Sequence, residues 1–150
     1  MNKEIKTKLE KLSKDELIDI INKLCEMPDA EKVLKLLVTP TKRDIDRELS
    51  LFGRWCNSVA NNPCSEKAEN GLYTSAFLLW RALDSVDVNT AARIIFEMYN
   101  LTSDITELSD VAVDINCYSC SLLYDLVKNH PNSFSKEEFD KYSYITDIYD

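Results

Sequence analysis

Residues Ile105–Asn129 read "ITELSDVAVDINCYSCSLLYDLVKN", and this stretch decides the predicted fold. At about 100° per residue, aliphatic side chains form a broad stripe along one side of the helix that it predicts. A second stripe, which holds both cysteines, lies nearly opposite and consists of Val113, Cys117, Cys120, Tyr124 and Val127. A helix that is apolar on two sides normally packs between neighbours. The pattern therefore predicts a central core helix over residues 105–129 of an all-α protein.

The same helical periodicity extends over the rest of the chain. Apolar residues recur three and four positions apart, and the 150 residues include only two glycines and four prolines. Capping boxes that begin at Ser13 and Ser135 predict two helix starts, and Thr41 with Asp44 predicts a third. We therefore expect about eight helices in a single all-α domain over residues 1–150, arranged as an irregular helical bundle or a short helical-repeat-like array. The fourth helix has a core stripe of Ile45, Leu49, Phe52, Cys56 and Val59.

Three local features refine this prediction. The second helix should end at Pro28 and turn four apolar residues inward, namely Leu17, Ile20, Ile21 and Leu24. Gly53 lies inside the fourth helix, where a glycine costs about 1 kcal/mol relative to alanine, so we expect another helix to approach closely there. The tail from residue 142 to residue 150, "YSYITDIYD", suits a helix or a strand equally well.

The charge distribution limits the class of partner. The chain carries a net charge of −8. Residues 1–54 hold twelve Lys or Arg and eleven Asp or Glu, whereas residues 55–150 hold six and fifteen. Such a negative field repels nucleic-acid phosphates, which disfavours direct DNA or RNA binding, and it attracts basic surfaces. The sequence therefore predicts a protein partner with a basic surface.

Hydropathy and cysteine content together predict the cellular compartment of the protein. No apolar run approaches the roughly 20 residues that span a bilayer, and the charged opening lacks the apolar core of a signal peptide. Five cysteines are an odd number, which favours reduced thiols over a disulfide framework. We expect a cytoplasmic protein without membrane attachment, in which Cys64, in a polar loop beside Pro63, is the accessible thiol.

The C-x-x-C pair at Cys117 and Cys120 has three interpretations. A redox pair needs its first cysteine at a helix N-terminus, where the helix dipole stabilises the thiolate, whereas Cys117 is predicted in mid-helix. A zinc site needs two further ligands, but Cys25 and Cys56 lie on the core stripes of other helices and His130 is the single histidine. The sequence favours two buried thiols without metal over either alternative.

The sequence contains no recognisable catalytic constellation. HExxH, G-x-S-x-G, Gly-rich phosphate loops and EF-hand loops are all absent, so we expect no catalytic, cofactor-binding or metal-binding residues and a protein that is not an enzyme. Acidic residues remain as candidates. The strip of Glu107, Asp110, Asp114 and Asp125 fits a solvated face or a site for a hard cation. Our hypothesis is that this strip, with Asp84 and Asp87 nearby, forms the rim of a partner surface.

Three stretches carry a resemblance to a known family. They are "LSKDELIDIINKL" at 12–24, "TPTKRDIDRELSLFGRW" at 39–55 and "AARIIFEMYNLTSDITELSDVAVDINCYSCSLLYDL" at 91–126. Their order resembles an uncharacterised all-helical bacterial family that is sometimes attached behind SWIM zinc-finger segments. The chain departs from that pattern because it lacks the acidic Asp/Gly turn between the last paired helices and any C-x-C with C-x-H metal signature. The resemblance implies a helical scaffold and no particular activity.

Two functions fit these observations. The first is a non-enzymatic helical scaffold that binds another protein through an acidic helical surface. The alternative is an acidic inhibitor, such as a phage anti-defence protein, whose carboxylates mimic nucleic-acid phosphates and block a basic groove of a nucleic-acid enzyme. Salt dependence separates the two, because a mimic loses its partner steeply as ionic strength rises and an apolar groove does not.

Overall fold

The computed structural model describes residues 3–27 and 29–146, and within these ranges the chain is all-α without a strand. The predicted fold class, with about eight helices, is confirmed. The stop expected at Pro28 and the last four residues of the tail lie outside the described residues, while the tail is helical as far as Thr146. The helices are α1 Lys3–Leu9, α2 Lys14–Cys25, α3 Ala30–Val38, α4 Lys42–Asn61, α5 Glu66–Ala82, α6 Val88–Ser103, α7 Asp110–Asn129 and α8 Lys136–Thr146.

The chain divides into two compact units, Met1–Lys35 and Leu36–Asp150, which we call the N-terminal and C-terminal units. The N-terminal unit holds eight Lys or Arg and eight Asp or Glu. The C-terminal unit holds ten and eighteen, so the whole net charge of −8 belongs to it. A single domain over 1–150 stays a prediction.

The N-terminal unit has no buried side chain among its residues 5–27 and 29–35. The predicted inward face of α2 is therefore wrong, since Ile20, Ile21 and Leu24 are exposed. About 35 residues are too few to form an independent core. Local interactions support α2 instead. Its capping box is formed, because the Ser13 backbone N–H donates to Glu16 Oε2 at 2.8 Å and the Glu16 N–H donates to Ser13 Oγ at 3.3 Å.

The C-terminal unit has two hydrophobic clusters. The first is built on α4 and α5 and is joined by α6 and α7. The core stripe predicted for the fourth helix is confirmed, because all five of its residues are buried. Other buried members of this cluster include Leu72, Ala76, Leu79, Ile94, Met98, Ala112 and Ile115.

The second cluster fixes α8 against α6 and α7. Tyr142 is buried, and its ring centroid lies 5.4 Å from that of Phe96 and 5.6 Å from that of Phe134. The Lys141 ammonium group lies 4.0 Å from the Phe96 ring centroid, within cation–π range. The buried members from α6 and α7 are Ala92, Ile95, Cys120, Leu123 and Val127. Helix α7 therefore contributes buried residues to both clusters.

Helix α7 differs from its prediction in two ways. It begins at Asp110 and not at Ile105, because residues 104–108 form turns and the Ser109 hydroxyl caps the helix by accepting from the Ala112 N–H. It also buries one arc of about 140° and not two opposite stripes. That arc lies between the predicted stripes, and its residues are Ala112, Ile115, Asn116, Ser119, Cys120, Leu123 and Val127.

Asn116 holds α7 to the last turn of α6. Its Nδ2 lies 2.9 Å from the Tyr99 carbonyl oxygen, 3.0 Å from Thr102 Oγ1 and 3.2 Å from Ser103 Oγ. Both hydroxyl groups donate to carbonyl oxygens of α6, Thr102 to Met98 and Ser103 to Tyr99, so their lone pairs face Asn116 as acceptors. Asn116 and Thr102 are buried, and a buried polar group is stable only when it is hydrogen-bonded. This contact therefore selects one rotation of α7 about its own axis.

The close helix approach lies at Gly71 and not, as predicted, at Gly53. A Cβ at Gly71 of α5 would lie 2.5 Å from two ring atoms of Trp55 in α4, a distance that real Cβ contacts do not reach. A Cβ at Gly53 would meet only the Leu101 side chain, at an ordinary 3.8 Å. The Trp55 indole therefore packs directly on the backbone of α5 at Gly71.

We predict opposite effects for alanine at these two glycines. Gly71→Ala should lower the free energy of unfolding by about 1–3 kcal/mol, because the new methyl group collides with a rigid ring. Gly53→Ala should raise it by up to about 1 kcal/mol, because alanine favours the helix and fits the space. Urea denaturation of both variants measures the difference. A Gly71→Ala protein as stable as wild type would show that Trp55 does not pack on this glycine.

We also predict that Asn116→Asp destabilises the C-terminal unit more than Asn116→Ala. Alanine loses the donor and should cost about 1–3 kcal/mol, whereas a carboxylate also faces the Tyr99 carbonyl oxygen at close range. Burial raises the pKa of an introduced carboxyl group, so its protonated form, which can donate, predominates in the folded protein at low pH. Asn116→Asp should therefore regain part of its stability, relative to Asn116→Ala, between pH 7 and pH 4. Equal stability of the two variants at every pH would contradict the role of the amide.

Candidate binding groove between α5 and α7

A groove of about 710 Å³ lies between α5 and α7, and residues of α6 form its floor. Two contacts fix its geometry. Near the start of both helices, the Ser109 hydroxyl donates to Glu69 Oε1 at 2.6 Å. The second contact joins Trp80, eleven residues after Glu69, to Tyr118, nine residues after Ser109. Helices α5 and α7 therefore run side by side in the same direction. We call this feature the α5–α7 groove. Its aliphatic base consists of Leu83, Ala91, Ile95, Leu122 and Leu126.

Aromatic side chains form the walls of the α5–α7 groove. Tyr73, Phe77 and Tyr118 are 54%, 47% and 50% exposed, which is high for large apolar rings. Trp80 packs edge-on against Tyr118, with ring centroids 4.7 Å apart and an interplanar angle of 79°. The Trp80 indole N–H is buried without an acceptor among the described residues. The walls thus offer apolar surface, and the Trp80 indole N–H is a donor within one of them that no described residue satisfies.

Three carboxylates line the two ends of the groove. Asp114 lies on the first half of α7, next to the turn that carries Tyr118, and Asp125 lies eleven residues later on the same helix. Asp84, just after α5, lines the groove as well. All three are exposed, and none forms an ion pair within residues 3–27 and 29–146. Arg81 and His130 are the basic side chains of the lining, so carboxylates outnumber cations there.

The structure brings together half of the predicted acidic surface. Asp84, Asp114 and Asp125 share the α5–α7 groove. The other three lie elsewhere. Asp87 caps the N-terminus of α6, where its carboxylate accepts from the Thr90 N–H at 3.0 Å and from the Thr90 hydroxyl at 2.7 Å, and these bonds lower its pKa. Glu107 lies in the turn before α7 and Asp110 is the first residue of α7, and neither lines the groove.

Sequence reasoning missed the aromatic half of this site. Tyr73 and Phe77 are four residues apart on α5, and both rings are exposed. Tyr118 gave the clearer signal. On a helical projection it falls beside Asp114 and Asp125, so it is a large ring within an otherwise polar strip. A ring in that position indicates an interaction surface more than a solvated face.

The predicted burial of the two C-x-x-C thiols is confirmed for Cys120 and wrong for Cys117. Cys120 is 2% exposed, and its thiol lies 3.7 Å from the Ile145 carbonyl oxygen, while burial raises its pKa. Cys117 is exposed because the buried arc of α7 ends before it. Cys64 is exposed as predicted, and Cys56 is buried, with its pKa raised by burial to about 12. The C-x-x-C pair therefore has one accessible and one protected thiol.

Residues 3–27 and 29–146 contain no group of three or more His, Cys, Asp or Glu side chains placed to hold a metal ion. Within the same ranges, no helix combines the length and apolar character needed to cross a membrane.

The apolar side of α2 is a second unpartnered surface. It exposes Ile18, Ile20, Ile21 and Leu24. Its unit has no net charge, so no electrostatic feature indicates what covers this side. The α5–α7 groove is the better candidate site because its charge and its rings together define the chemistry of an occupant.

Comparison of the chain with known proteins finds no matching family model, curated protein or solved structure. The resemblance to the SWIM-associated helical family stays a prediction.

We predict that a bulky maleimide labels Cys64 and Cys117 rapidly in the native protein and leaves Cys56 and Cys120 protected. Exposure gives the reagent access to the first two, and burial both blocks the others and keeps Cys56 in its unreactive thiol form through pH 9. Peptide mass mapping after brief labelling measures each site, and labelling in urea is the control for reactivity. Protection of Cys117 to the same extent as Cys56 would contradict the position given to α7.

Proposed function

We propose that this protein is a non-enzymatic helical binding domain, and that the α5–α7 groove accepts a basic, partly apolar segment of a partner protein. The observation that carries the proposal is the combination of exposed aromatic walls with carboxylates at both ends of one groove. Neither feature alone would identify a site. Together they match a segment with large apolar side chains between cationic ones.

Charge complementarity supports a basic partner. Asp84, Asp114 and Asp125 have no ion-pair partner among the described residues, and they lie in the unit that carries the whole net charge of −8. Long-range attraction from such a field raises association rates for cationic segments and is screened by salt. The carboxylates are exposed, so their main effect should be on the association rate and less on the lifetime of the complex.

The aromatic walls support affinity. Tyrosine and tryptophan are enriched among the residues that dominate binding energy, and rings already exposed require no unfolding to make contact. Tyr73, Phe77 and Tyr118 each expose about half of their surface, so an occupant could cover a substantial apolar area. A surface that only confers solubility has no need of three such rings in one groove.

An acidic inhibitor that mimics nucleic acid is the second candidate. It is favoured by the exposed carboxylates of Asp110, Asp114 and Asp125, which lie within about 60° of one another around α7. A mimic depends on its charges and not on Phe77 or Tyr118. The two candidates therefore predict different effects of removing the rings.

We predict that selection from a random-peptide display library with the immobilised full chain enriches sequences that combine Lys or Arg with large apolar residues. The triple variant Asp84→Asn, Asp114→Asn, Asp125→Asn should lose this enrichment. The control is Glu107→Gln, Asp110→Asn, Glu137→Gln, which changes the net charge by the same amount outside the groove and should keep it. Enrichment that the two variants lose equally, or no basic enrichment with the wild-type chain, would contradict the proposed function.

Phe77→Ala separates the two candidates. Phe77 is 47% exposed, so its removal should leave stability nearly unchanged, whereas it should weaken an enriched peptide at least about tenfold if the rings supply affinity. Fluorescence anisotropy at low and physiological salt measures the affinity of the peptide for the wild-type chain and for Phe77→Ala. Unchanged affinity with a steep loss of binding in salt would favour the nucleic-acid mimic.

A further inference from the structure

We infer that the occupant of the α5–α7 groove is an amphipathic helix with two cationic side chains eleven residues apart and large apolar side chains between them. This inference rests on the proposed function and adds the conformation and the spacing of the bound segment. It follows from the distance between the acidic ends and from the parallel direction of α5 and α7. It also follows from the walls being helices, whose backbone N–H and C=O groups are already hydrogen-bonded to one another.

The spacing comes from α7. Asp114 and Asp125 lie on the same helix, eleven residues apart, which at about 1.5 Å per residue separates them by about 16 Å along its axis. Eleven residues turn a helix by about 20° beyond three full turns, so both carboxylates lie on one side of α7. Tyr118 and Leu122 occupy the positions between them, at one-turn intervals.

The opposite wall has the same direction and the same length. Because α5 runs parallel to α7, Tyr73 and Phe77 lie towards the Asp114 end, while Asp84, eleven residues after Tyr73, lies towards the Asp125 end. The second end therefore has two carboxylates beside Arg81 and His130, and the first end has one carboxylate. From the Asp114 end to the Asp125 end, over about 16 Å, the surface of the groove is first acidic, then aromatic, then aliphatic and finally acidic again.

A helical occupant fits this pattern residue by residue. Cations at positions eleven apart on a helix lie on one side of it and about 16 Å apart, as do the two acidic ends. Apolar residues four, seven and eight positions after the first cation fall on that same side. These residues would meet Tyr118, Phe77 and Leu122 while each cation reaches a carboxylate.

An extended segment fits less well because the groove offers little to a peptide backbone. Its walls are helices, whose backbone N–H and C=O groups bond to one another, and there is no strand in the described ranges to extend. Between its acidic ends the groove is mainly aromatic and aliphatic. A helix satisfies its own backbone groups, whereas an extended chain would bury several without partners.

The test uses three synthetic peptides of identical length with the full chain. The first is a capped, alanine-based helix of eighteen residues with two arginines eleven positions apart and three leucines between them on the same side. The second exchanges one leucine with one arginine, so that the arginines are four positions apart while composition, net charge and amphipathicity stay the same. The third is the first peptide with a central proline that prevents a continuous helix.

We expect the first peptide to bind at least about tenfold more tightly than either control. Its preference over the second peptide should disappear in Asp114→Asn, which removes the single carboxylate of one end. Isothermal titration calorimetry gives the affinities. Equal affinity for the first two peptides overturns the spacing, and equal affinity for the first and third overturns the helical conformation. Either result leaves the proposed function standing if display selection has yielded basic peptides that depend on the groove. Binding of none of the three overturns the inference, and failure of the selection overturns the proposed function.

Discussion

The rotation of α7 about its own axis is the constraint on which the C-terminal unit depends. Helix α7 belongs to both hydrophobic clusters, with Ala112 and Ile115 in the first and Cys120, Leu123 and Val127 in the second. Aliphatic and sulfur-containing side chains tolerate small rotations, because their contacts are not directional. The amide of Asn116 is directional, and it lies between the two sets, against the last turn of α6. Hydrogen bonding therefore selects the rotation, and apolar burial stabilises it.

That rotation also determines what α7 presents to α5. With Asn116 turned towards α6, the residues on the far side of the buried arc are Asp114, Tyr118 and Asp125. Trp80 supports Tyr118 from α5, and the packing of Trp55 on Gly71 sets the position of α5 relative to α4. The α5–α7 groove is thus a consequence of core packing in the C-terminal unit. Its chemistry, apolar in the middle and acidic at the ends, underlies the proposed recognition of a basic amphipathic helix.

Much of the fold could be predicted from local sequence patterns. The capping boxes at Ser13, Thr41 and Ser135 and the core stripe of α4 are local features, and the structure confirms each of them. The two-sided core predicted for α7 was wrong because Asn116 and Ser119 are polar residues that are buried, and Asn116 has its hydrogen-bond partners on α6. Such a partner lies fourteen residues away and leaves no periodic trace in the sequence. The inward face predicted for α2 failed for a different reason, since periodicity shows an apolar face but not what covers it.

The candidate site was predictable only in its charged half. An excess of carboxylates after residue 54 is visible in composition, and it led to Asp84, Asp114 and Asp125, but it led equally to Glu107, Asp110 and Asp87, which lie elsewhere. Which carboxylates share a groove depends on the parallel approach of α5 and α7, a contact between residues about 40 positions apart. The exposure of the aromatic walls depends on the same approach. Helical periodicity carries no information about it.

The most direct test of the central claim is a titration of the ¹⁵N-labelled full chain with the peptide whose arginines are eleven positions apart, followed by NMR. The account predicts that the largest shifts fall on residues of α5 and α7 that line the groove, such as Tyr73, Phe77, Asp114, Tyr118 and Asp125. The NMR signal of the Asn116 side-chain amide, which binds α6 on the opposite side of α7, should keep its chemical shift. Largest shifts around Glu107 and Asp110, on α2, or at the Asn116 amide would contradict the account, because they would place the occupant elsewhere or require α7 to rotate.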